Sequence, residues 1–189
     1  MPTMSTALLN AFVCGEHGWL DHTSVHEAAH AVFAVDLEIP FTSVRLSSPE
    51  KLWESLQSGG DVLAGGVHLD GDARDHFPGR DEDALDFCVA GSRAEDKAHG
   101  HYISWGFTGD MEVWRRGTGR FDTPDPAVLM PMLSASVARV DARLPERWDA
   151  VLAVAEALRA SAGAGNPDDP TDPGAMMLMF SEVQAILAA

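Results

Sequence analysis

Within the stretch Ser24-Val-His-Glu-Ala-Ala-His-Ala-Val-Phe33, two histidines stand four residues apart and a glutamate follows the first. On a helix, His26 and His30 share one face, one turn apart. Their imidazole nitrogens can then reach a single Zn²⁺ at about 2.0–2.1 Å. Glu27 falls beside the first ligand, where a carboxylate can take a proton from an attacking water and pass it to a leaving amine. This is the HExxH arrangement of zinc-dependent peptide hydrolysis. Two solvated surface histidines would give the same letters, so the surroundings matter. Ala28 and Ala29 between the histidines are small, and Val25, Ala28, Ala29, Val32 and Phe33 make an apolar helical face. Asp21, Thr23 or Ser24 is the expected cap, with Glu27 in the first turn and Pro40 ending the segment.

A catalytic zinc needs a third protein ligand and an open position. Downstream, Glu95, Asp96, His99, His101 and Asp110 all qualify by type, and spacing does not choose among them. His17, His22, His68, His76 and His101 are expected at the surface.

The elements that must position these groups are legible in outline. Residues 4–13 suit a short helix. The stretch 41–47, Phe-Thr-Ser-Val-Arg-Leu-Ser, alternates and is β-branched, which predicts a strand. A second strand is expected around Val67 to Leu69, pairing with the first as a ribbon. The ribbon over 63–69 is also a candidate edge for holding a substrate backbone, with a plain structural hairpin as the alternative. Residues 70–83 are acidic and turn-rich and predict an exposed loop, 81–100 a helix, and 108–117 the start of another. A proline-marked connection leads to one or two helices over 132–161. The Gly-, Pro- and Asp-rich run 163–174 has linker composition. The expected organisation is a metallopeptidase domain over 1–162, a flexible linker over 163–174 and a C-terminal helix over 175–189.

Composition narrows the function classes. The 189 residues suit one domain with a real core, and 46% are hydrophobic. The formal net charge of −16 argues against phosphate-backbone binding and against docking on anionic lipid. Cys14 and Cys88 make no disulfide framework and no CxxC pair, which fits reduced thiols in the cytoplasm. The first ten residues carry no basic n-region, so no secretory signal is expected. No apolar run approaches the roughly 18–20 residues of a membrane span, and no GxxxxGK[ST] P-loop is present.

Two blocks carry a family resemblance. Residues 24–46, with HEAAHA in place of HEAGHA followed by a helix end and a strand, resemble the peptidase domain of FtsH-type ATP-dependent zinc metalloproteases. Residues 89–114 are similar to that family's second block: Gly91, Ala94, Glu95, Gly100, Ile103, Ser104, Gly106 and Asp110 fit its order. The likeness covers about residues 22–117 and is faint over 132–161. Ala29 stands where the family usually has glycine, Ser92 and Arg93 shift an arginine by one position, and 48–62 looks different. The resemblance implies a mainly α fold with a small β-ribbon, zincin-like, and a zinc site of His26, His30 and Asp110. It also implies Glu27 as the catalytic acid–base, with Glu95 behind a histidine as its orienting partner. The expected activity is zinc-dependent hydrolysis of unfolded or flexible peptide segments, ATP-independent by itself, without the family's ATPase and membrane segments. A homo-oligomer or a separate ATPase partner is possible on this reading. A catalytically silent binding or regulatory module on the same fold is the alternative.

Overall fold

The computed structural model describes residues 18–58, 64–119, 125–167 and 170–189. The helix expected at 4–13, His17 and Cys14 lie outside these. The described chain is mainly helical with a small three-stranded antiparallel sheet.

Helix α1 spans Trp19–Asp36 and is the hub. It is buried on all sides from His22 to Ala34, rather than along one stripe. Its small residues Ala28, Ala29, Ala31 and Ala34 are fully buried, which lets neighbouring helices and the sheet approach closely. The helix begins earlier than the sequence suggests. Gly18 is its N-cap, Asp21 lies in the first turn, and Thr23 and Ser24 sit inside, bonded back to the carbonyls of Trp19 and Asp21. Glu38, in the left-handed region at φ 54°, turns the chain toward the sheet.

Strand β1 (Phe41–Leu46) is central, with β2 (Gly65–Leu69) and β3 (Met176–Met179) antiparallel on either side. The ribbon of 41–47 with 67–69 therefore forms, with Val44 opposite Val67. The third strand corrects the sequence reading: the C-terminal segment, expected to be helical from 175, starts as a strand. Periodicity cannot assign a short apolar run such as Met-Met-Leu-Met. The second edge of β1 decides it, because buried backbone groups there need partners. Helix α7 (Phe180–Leu187) follows. Between the strands, α2 (Pro49–Ser58) fills a stretch left unassigned. The acidic 70–83 stretch holds a short helix, α3 (Ala73–His76), capped by Asp72. It also holds Phe77, fully buried against Gly117, where a Cβ would come within 2.3 Å of the ring. In the run read as a linker, Asp172 accepts from the backbone N–H of Ser48, and Arg45 bonds Asn166.

Helix α4 (Asp81–His99) packs along α1 and ends at Gly100, whose φ of 76° suits glycine. Helix α5 (Ser104–Gly117) follows, closed by the buried Trp114, whose indole N–H donates to the carbonyl of Asp81. Helix α6 (Pro126–Ala160) runs 35 residues. It starts within the proline-marked connection because Asp125 caps it and a proline is favoured at the first helical position. Ion pairs tie α6 to the hub through Arg147 and Arg143 to Asp36, and to α4 through Arg139 to Asp86. Among the described residues no helix is long and apolar enough to cross a membrane.

Asp86 is buried and accepts from Arg139 at 2.7 and 2.8 Å and from Ser136, itself fully buried, at 2.6 Å. Asp86→Ala leaves that hydroxyl without its acceptor, a loss of about 1–3 kcal/mol. Thermal unfolding of the variant is expected to start lower by about 2–4 °C per kcal/mol. An unchanged midpoint would show that this network adds nothing to the fold.

Candidate metal centre

Three elements converge on one point. Helix α1 contributes His26, Glu27 and His30, all at least nine-tenths buried. Helix α5 brings Asp110, and α4 passes behind. The Nε2 atoms of His26 and His30 lie 2.9 Å apart. The Asp110 carboxylate stands 3.2 Å from the first and 3.3 Å from the second. With metal bonds of 2.0–2.1 Å in tetrahedral geometry, donor atoms would be about 3.3–3.4 Å apart. Among the described residues, His26, His30 and Asp110 are the group whose donor atoms cluster closely enough to share an ion.

Hydrogen bonds behind the rings decide what faces inward. His30 Nδ1 lies 2.7 Å from the carbonyl of Phe87, which can only accept, so Nδ1 carries the proton. His26 Nδ1 lies 2.5 Å from Glu95 Oε1. Burial works against charge on Glu95, but hydrogen bonds from His22, His26 and the N–H of Ile103 outweigh it and hold the carboxyl below its ordinary range. Glu95 is therefore an acceptor as well. As neutral rings, both histidines then present bare Nε2 lone pairs to each other and to Asp110. Burial raises the Asp110 carboxyl, but the two histidines override this and keep it strongly depressed, hence ionised. Its Oδ2 is buried and has no hydrogen-bond partner. Three converging donors of this kind repel unless a cation, whether a proton or a metal ion, sits among them. The same demand shows at His26. Burial disfavours its imidazolium, yet Asp110, Glu95 and Glu27 together hold its pKa well above the ordinary value. The donor set, nitrogen and carboxylate with fixed partners behind, suits a metal ion.

Close approach requires glycine at two points. A Cβ on Gly91 of α4 would lie 2.6 Å from ring atoms of both His26 and His30. A Cβ on Gly65 of β2 would lie 2.8 Å from Glu27 Cγ. Glu27 is thus wedged between α1 and β2. Burial, first, with repulsion from Asp110 and Glu95, pushes its carboxyl up to about 7 against the pull of the two histidines.

Glu27 and the three donors open onto a cleft of about 330 Å³. One wall is the run Ala64 to Leu69, and among the described residues β2 pairs with β1 alone and so stands at the sheet edge. The opposite wall is apolar, from Phe87, Ile103 and Val113, with Gly106 and Gly109 keeping it low.

Of the acids and histidines that spacing left open, Asp110 faces the pair. Glu95 sits behind His26, and Asp96 pairs with Arg93 on the surface of α4. His99 and His101 stack on His22 instead. Surface placement holds for His101, while His68 and His76 are partly buried. His22 corrects the reading outright: it is fully buried and bonded to Glu95. The signal was present, since 22, 26 and 30 recur every fourth residue on one helical face. No protein-family model matches the chain, and no curated protein sequence matches it.

Two outcomes are expected. Gly91→Ala drives a methyl into both rings, and metal affinity measured by chelator competition falls at least about tenfold, the scale of a disturbed ligand environment; wild-type affinity would mean the helices can part. The second concerns the metal-free protein. Glu27 has a folded pKa of about 7 against an ordinary 4.5, so the stability it contributes is full below about 4.5 and is lost as pH rises to 7. Glu27→Gln removes that loss. Its unfolding midpoint is expected to gain on wild type across this interval and stay ahead above it, and parallel curves would refute the assignment.

Proposed function

We propose that the chain is a zinc-dependent metallopeptidase with a zincin-like, FtsH-type peptidase fold, hydrolysing peptide bonds in unfolded or flexible segments. The observation that carries this reading is the meeting of His26, His30 and Asp110 with a buried carboxyl of pKa about 7, Glu27, at the floor of a cleft walled by β2. His26, His30 and Asp110 would hold the zinc. When bound, zinc supplies Lewis-acid polarisation of a carbonyl and a lowered pKa for water.

The chain's own groups account for the rest. Glu27, with a pKa near 7, is matched to take a proton at neutral pH and return it to the leaving amine. Glu95 and the carbonyl of Phe87 keep the two rings oriented with Nε2 inward. The outer edge of β2 offers backbone groups to which an extended peptide can add as a further strand. The apolar wall opposite suits side chains that such a strand would present.

An extended substrate is the cost of this geometry. A compact domain is stable by about 5–15 kcal/mol. The sequence carries no P-loop to supply work, so cleavage by this chain waits for local unfolding. A separate ATPase partner or self-assembly would change the range of substrates and leave the chemistry at Glu27 unaltered.

The test uses purified protein, casein and a tightly folded protein, with and without chelator and ATP. Wild type is expected to carry one zinc per chain and to cut casein without ATP, sparing the folded protein. Asp110→Ala is expected to lose most of its metal. Glu27→Gln should keep zinc and lose hydrolysis by about 10²–10⁴-fold, the scale of a general acid–base group. A metal-loaded wild type that cuts nothing would favour a silent binding module, and an active Glu27→Gln would sink the mechanism.

A further inference from the structure

His22 lies one turn before His26 on α1, is fully buried and does not line the cleft. Its Nδ1 is 3.0 Å from Glu95 Oε2, and the N–H of Ile103 donates to the same oxygen at 2.8 Å. The other oxygen, Oε1, is bonded to His26. An ionised carboxylate only accepts, so the His22 nitrogen facing it is the protonated one. The His22 ring is itself gripped by two others, with centroids 4.0 Å away at His99 and 4.7 Å away at His101.

We propose that His22 is a positioning residue for the metal centre: its Nδ1–H clamps the Glu95 carboxylate, so that Glu95 holds His26 with Nε2 bare and aimed at the cation. The proposal rests on the metal-centre reading above. A glutamate has three side-chain torsions, and a single bond to His26 would leave its carboxylate free to turn. Two donors on Oε2, one from α1 and one from the turn before α5, stop that rotation and reserve Oε1 for His26. The donor is what matters on this account, since any ring of similar size would fill the space. His99 and His101 matter only by keeping the His22 ring in place.

Three variants of the full chain separate the roles. His22→Phe keeps a ring and removes the donor. His22→Asn places an amide N–H close to the Nδ1 position. His22→Gln carries its amide farther out, toward the Nε2 position. Zinc affinity is read by competition with a chromophoric chelator. The His26 tautomer is read in the metal-free protein, at a pH high enough for the ring to be neutral, from ring-nitrogen NMR correlations. His22→Phe is expected to lose about 10–100-fold in zinc affinity, the range for removing a partner behind a metal ligand. Its His26 ring should become a mixture of tautomers. His22→Asn should stay within a few-fold of wild type, with His26 in the Nδ1–H form. If the phenylalanine chain does not fold, the contrast between Asn and Gln carries the test, with Gln the weaker binder. Wild-type affinity in His22→Phe, or equal weakness in the Asn and Gln variants, overturns the proposal. A wild type that binds no zinc overturns the metal centre itself, and the tautomer comparison still decides whether His22 orients His26 through Glu95.

Discussion

Like-charged lone pairs do not gather unless something holds them. Here two imidazole nitrogens and a carboxylate meet within 3.3 Å inside the protein, each pinned from behind. The carbonyl of Phe87 and the carboxylate of Glu95 set the tautomers, and those bonds turn the Nε2 atoms toward each other. The rest of the fold can be understood as the apparatus for maintaining this arrangement. α1 is buried all round because its ligand-bearing face and its packing faces all need neighbours. α4 must pass close enough to supply Glu95 and the Phe87 carbonyl, and only glycine at position 91 allows it. α5 then delivers Asp110 from across the cleft.

The polar cluster carries a cost that the surrounding structure offsets. Buried acids and histidines lose hydration, and an unmatched one is expensive. Glu95 is matched three times over, by His22, His26 and the Ile103 N–H. Glu27 is matched least, and its raised pKa is the consequence. The same burial that makes Glu27 a poor anion brings its pKa to about 7, which is what the proposed acid–base role requires. Stability and chemistry pull in opposite directions at that one residue, as is common where a site needs a perturbed group.

The sheet is small, yet its order matters. β1 takes partners on both edges, and among the described residues β2 is left as the edge strand beside Glu27. Had the C-terminal Met176–Met179 run stayed helical, β1 would have presented its other edge unpaired behind the site. The C-terminal strand thus completes the support on which β2 and the cleft wall rest.

The sequence by itself determined the helix that bears His26, Glu27 and His30, because a four-residue spacing has one meaning on a 3.6-residue period. It also determined the pairing of the first two strands, through β-branched alternation over 41–47. Spacing alone left several acids and histidines open, and the choice of Asp110 and Glu95 rests on an expected resemblance, not on the residues' own pattern. Tertiary structure decided what local pattern could not. The Met-rich run became a strand because an edge needed backbone partners, and His22, expected at the surface, became buried because α4 and the turn before α5 close over it. The physical reason is the same in both cases. A residue's period is set by its own helix or strand, but its burial and its hydrogen-bond partner are set by a neighbour some seventy or more positions away, as with His22 and Glu95.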